Sequence, residues 1–156
     1  MTIHARPAVR ALAAGALAVG VLDIADAFIF FGLRGVQPGR ILQSIAAGFL
    51  GPPAFQGGAA TMALGLGLHF FIATMIVLVF YTASGRLPVL IEHPIRFGAL
   101  YGIAAYLVMT FIVVPASASP AGPRSWPVVL NGLCIHIAGV GLPAALAARA
   151  ARRGRT

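Results

Sequence analysis

Two histidines and two aspartates are the residues of this 156-residue chain best suited to chemistry. His69 closes the run Gly65-Leu66-Gly67-Leu68-His69, and His136 closes Gly132-Leu133-Cys134-Ile135-His136. Both runs read glycine, leucine, any residue, an aliphatic residue, histidine. Asp23 and Asp26 stand three apart, on one face if their segment is helical. All four residues interrupt long apolar stretches, where ionisable groups are costly and turn away from lipid. Together they allow three kinds of chemistry. Protons or a passing cation can be exchanged along Asp23, Asp26, His69 and His136. A haem b can be ligated by His69 and His136, with Gly65 and Gly132 leaving room for the flat macrocycle. A metal such as zinc can be held by two carboxylates and two imidazoles. The plain alternative is that these side chains hydrogen-bond between helices and fix their packing.

Composition narrows the setting. Charged residues make up 9% and apolar types 60% of the chain. So few charges cannot cover the surface of a soluble domain, which usually carries about 25%. A disordered chain would show the opposite balance, low hydrophobicity and high charge. The single cysteine, Cys134, excludes a disulfide scaffold or a cysteine-rich metal module. There is no glycine-rich phosphate loop and no nucleophile elbow, so nothing in the pattern points to an enzyme. An integral membrane protein built from helices is the class that remains.

Four stretches have the length that crosses a bilayer, about 20 residues at about 1.5 Å each. They run over about 8–31, 59–81, 95–115 and 127–148. In lipid the backbone must satisfy its own polar groups, and these uninterrupted runs do so as helices. Strands of a membrane barrel would alternate polar and apolar residues, which these do not. Gly35 to Arg40, Gly51-Pro52-Pro53, Gly85 to Pro88 and the proline-rich 115–127 break the spans. Between the first two spans, Ile41, Leu42, Ile45, Ala46, Phe49 and Leu50 recur at helical spacing. This piece, about 40–50, is too short to span and is expected to lie along the interface or across the mouth of the bundle. The first span continues through Phe28–Phe31, beyond the small-residue triplet Ala25-Asp26-Ala27, and so reads as a span rather than a secretory leader.

The expected fold is therefore all-α, a single transmembrane domain forming a four-helix bundle with a short interfacial helix. All 11 basic residues are arginines. With both termini in the cytoplasm, eight arginines fall inside and three, Arg34, Arg40 and Arg124, outside. That asymmetry fits the excess of basic residues in cytoplasmic loops. The charge of +8 is then a matter of topology and anionic lipid heads, not nucleic acid. Trp126 fits an interfacial anchor, and Tyr101, Tyr106, Thr110 and Asn131 are candidates to line a polar interior. Gly98 and Gly102 suit a close helix contact. Four spans make a thin bundle, so a homo-oligomer or a membrane-complex partner is the expected working unit.

The two His-containing runs sit in the second and fourth spans. Gly15-Ala16-Leu17 and Phe28-Ile29 of the first span align at a common offset with Gly98-Ala99-Leu100 and Phe111-Ile112 of the third. Two related hairpins, a parallel internal repeat, are expected. On the layout of four spans with Gly65/His69 and Gly132/His136, the chain resembles bacterial inner-membrane proteins of the YagU type. That resemblance implies topology and a bacterial inner-membrane location, and no particular chemistry. The function expected from the residues is a pathway for protons, a cation or a small solute, organised by His69, His136, Asp23 and Asp26. An electron-transfer subunit binding haem b, or a non-catalytic accessory protein with a structural polar core, are the other readings.

Overall fold

The computed structural model describes residues 5–120, 122 and 125–154. Among these no strand forms, and nearly all lie in helices. The chain is folded as α1 (Ala5–Gly32), α2 (Pro38–Leu50) and α3 (Gly58–Arg86), followed by the single turn α4 (Val89–Glu92). The long helices α5 (Pro94–Ala116) and α6 (Trp126–Arg153) complete it. By length and composition α1, α3, α5 and α6 can each cross a membrane. Each expected span is present, and α3 and α6 run about five residues further toward their arginine-rich ends. Arg124 and Arg155, two of the arginines used to orient the chain, lie outside the described residues.

Glycine and proline set the boundaries. Gly35 adopts φ +83° just after α1, and the Val36 N–H reaches back to the Phe31 carbonyl at 3.1 Å. A side chain would strain that left-handed turn. Pro38 and Pro94 occupy the first turns of α2 and α5, where a missing N–H costs nothing.

The bundle is organised around α6, which packs on α1, α3 and α5. Its buried face is a row of alanines, Ala144, Ala145, Ala147, Ala148 and Ala151. Small residues let helices approach closely where lipid offers no hydrophobic drive. Gly15 of α1 fits over Ala147, and Gly98 of α5 over Ala145 and the Gly141 carbonyl. Val19, Val77 and Val140 close one part of the core, and Phe80 the other.

The hairpins are present, but the twofold relation between them is incomplete. An exact repeat would pack α3 on α5 as α6 packs on α1. Instead Gly15 and Gly98, the aligned glycines, both rest on α6. A groove separates α3 from α5. The connecting helix α2 is amphipathic and has a built partner. It packs along α3 and buries Ile41, Gln43, Ala46 and Ala47. Ile41, Ser44 and Ile45 on this helix border the space between the long helices.

Candidate functional site

Asp23 lies about five turns into the 28-residue helix α1, too far from either end for its carboxylate to reach it. His69 comes from α3 and His136 from α6, so the two rings approach from different hairpins. The His69 Nδ1 is 4.0 Å from one Asp23 carboxylate oxygen, and the His136 Nδ1 is 4.0 Å from the other. The two imidazoles therefore flank one carboxylate. All three side chains are largely but not fully enclosed.

Each ring is held by a backbone carbonyl on another of its nitrogens or on the same one. The His69 Nε2–H donates to the Gly20 carbonyl of α1 at 2.8 Å. Gly20 permits this approach because the Phe70 ring occupies the space its side chain would need. The donor role at Nε2 leaves Nδ1 of a neutral His69 as the acceptor facing Asp23. The His136 Nδ1–H donates to the Gly132 carbonyl, one turn back in its own helix, at 2.8 Å. Tyr106 of α5 meets the His136 ring edge-on, centroids 5.4 Å apart.

These groups line a partly open cavity of about 350 Å³ bordered by α1, α2, α3, α5 and α6. Ser44, Tyr106 and Thr110 contribute the other polar side chains, and the remaining lining is apolar. Ile41, Ser44 and Ile45 of α2 cover it on the side of the α1–α3 connection. Among the described residues that line it, Asp23 and the two histidines are the ones that carry charge near neutral pH, and none is an arginine.

Asp26 does not join them. Its carboxylate accepts from the Asn131 Nδ2 of α6 at 2.6 Å, a bond between helices rather than a second arm of the site. Of the residues expected to line a polar interior, Tyr106 and Thr110 do so. Tyr101 instead donates to the Ile76 carbonyl at 2.7 Å. Cys134 is exposed on the outer face. Ser44 was not singled out by the sequence, although it shares a helical face with Ile41 and Ile45.

The helix backbone also departs from regularity here. Met109–Val113 of α5 and His136–Gly141 of α6 are π turns. Met109 and Thr110 from one, and His136 and Val140 from the other, border the cavity. Insertions of this kind recur at functional sites because they re-aim side chains.

The residues present do not fit a haem b between the histidines. The His69 Nε2 and His136 Nδ1 are already bonded to backbone carbonyls, and both Nδ1 atoms face the Asp23 carboxylate. Nor is there room beside the two glycines. A side chain on Gly65 would strike the Leu42 carbonyl of α2, so that glycine seats α2. A side chain on Gly132 would stand 2.7 Å from the Tyr106 ring. Among the described residues, no three His, Cys, Asp or Glu side chains are grouped to hold a metal ion. No protein-family model, curated protein or solved structure matches the chain.

Proposed function

We propose that the chain is a multi-pass protein of a bacterial inner membrane with both termini in the cytoplasm. Within it, Asp23, His69 and His136 hold a proton or a small cation on its way across the bilayer. One observation carries this reading: imidazoles from two hairpins flank the two oxygens of one carboxylate at the wall of a largely apolar cavity. A lone carboxylate at mid-bilayer costs on the order of 2.5–3.5 kcal/mol. A proton taken up at His69 Nδ1 turns the 4.0 Å contact into an ion pair, and a cation drawn to Asp23 does the same work with both rings neutral. Proton and cation then compete for one carboxylate, which is the arrangement a coupled pathway requires.

The test is flux in proteoliposomes loaded with a pH-sensitive dye. The native chain dissipates an imposed proton gradient, and Asp23→Asn returns the rate to that of empty liposomes. Unchanged flux in Asp23→Asn, with the variant folded and inserted, overturns the reading.

A further inference from the structure

Resting on that reading, we infer that the site takes a cation with an apolar tail, and that the tail lies in the groove between α3 and α5.

The groove has a volume of about 320 Å³. Ile72, Met75 and Ile76 form its α3 wall, and Ala104, Val108 and Met109 much of its α5 wall. It opens outward, since Met75 and Val108 at its rim are exposed. On a helix surface of this length and apolarity the surroundings are hydrocarbon. Ile72, Ile76 and Met109 line the polar cavity as well. The two spaces are therefore neighbours that share these three side chains as a common wall. Methionine in particular adapts its shape to what it packs against.

The two spaces differ in chemistry. Asp23 faces the inner one, and among the described residues neither is lined by arginine. The outer one is lined by aliphatic side chains apart from Tyr101, whose hydroxyl is already committed to the Ile76 carbonyl. A hydrophilic ion would use only the first space. An anion is repelled by Asp23. A neutral lipid tail would use only the second. A cation carrying a short alkyl chain matches both, with its charge at the carboxylate and its tail leading back to the bilayer. The incomplete repeat gives the groove its origin, since α6 fills the corresponding space beside α1 and nothing does so beside α3.

Binding of two radiolabelled probes to the full chain in nanodiscs tests this. Tetramethylammonium has the head alone, and octyltrimethylammonium has head and tail. Asp23→Asn weakens both. Ala104→Phe and Val108→Phe, each at an exposed position on the groove, weaken octyltrimethylammonium by about tenfold as buried methylene contacts are lost. They leave tetramethylammonium unchanged. Two variants guard against one that folds poorly. Equal loss of both probes in the phenylalanine variants, or loss of neither, overturns the inference. Native proton flux without binding of either probe overturns it while leaving the pathway reading intact. Absent flux in the native chain, with the two-probe pattern observed, overturns the pathway reading alone.

Discussion

At the scale of single residues, the two aspartates look alike in sequence and differ in what surrounds them. Asp26 has a short bond from Asn131, and Asp23 has two rings at 4.0 Å. A carboxylate with a 2.6 Å amide donor is a packing device, whereas one flanked at longer range keeps freedom to exchange partners. The expected consequence is a division of effects. Asn131→Leu strips a half-buried carboxylate of its donor and lowers unfolding stability by about 1–3 kcal/mol, the usual cost of orphaning such a group. It leaves proton flux per folded molecule at the native rate. Asp23→Asn does the reverse, abolishing flux with little change in stability. Thermal unfolding in detergent alongside liposome flux reads both, and a stability loss at Asp23→Asn equal to that of Asn131→Leu would sink the distinction. The sequence could point to Asp23 and the histidines because each interrupts an apolar run. It could not separate Asp23 from Asp26, because three residues of spacing place both on one face. Which of them meets Asn131 depends on how α1 and α6 cross.

At the scale of helices, length and hydropathy made the four spans legible, and glycine and proline made the breaks legible. The π turns were hidden because composition carries no trace of an extra residue in a turn. Proline was the available signal. Pro115 and Pro143 each follow a π turn by two residues, and a proline ring collides with the carbonyl four residues back. Those carbonyls belong to Phe111 and Gly139, inside the two π turns, where widening relieves the collision. The pattern Gly-x-x-x-His was also legible, yet its meaning was not. Glycine shows only that something approaches. At Gly65 it is the Leu42 carbonyl, and so the glycine fixes α2 as the cover of the cavity. Gly65→Val therefore displaces α2. A membrane-impermeant thiol reagent labels Ala27→Cys, on the cavity wall, faster in the Gly65→Val background than alone. Cys134→Ser is included in both backgrounds to remove the native thiol. Equal labelling rates would show that α2 does not close the cavity.

At the scale of the whole molecule, the outer surface is apolar from α1 to α6, with Ile29, Phe71, Phe111 and Leu130 all more than half exposed. The arginines distinguish one end of the bundle from the other. Some of them are tied to local acceptors. Arg34 donates to the Phe30 carbonyl at 2.7 Å and lies over the Phe30 ring, while Arg40 lies over Phe55. Arg152, at the opposite end, donates to the Tyr81 carbonyl at 2.8 Å near the end of α3. Such bonds satisfy the guanidinium without removing its charge, so each arginine still resists transfer across the bilayer. The end holding Arg86, Arg96, Arg149, Arg152 and Arg153 carries the greater excess and is expected to remain in the cytoplasm. The α1–α3 connection, and with it α2, then faces the opposite side, so the covered mouth of the cavity opens outward. Reporter fusions decide this. Alkaline phosphatase, active only outside the cytoplasm, is inactive when joined after residue 156 and active when inserted between 117 and 125. A fluorescent protein that matures only in the cytoplasm gives the reciprocal pattern. The reverse result at both positions would place the arginine-rich end outside and turn the mouth beneath α2 toward the cytoplasm. Entry to Asp23 would then be from the cell interior.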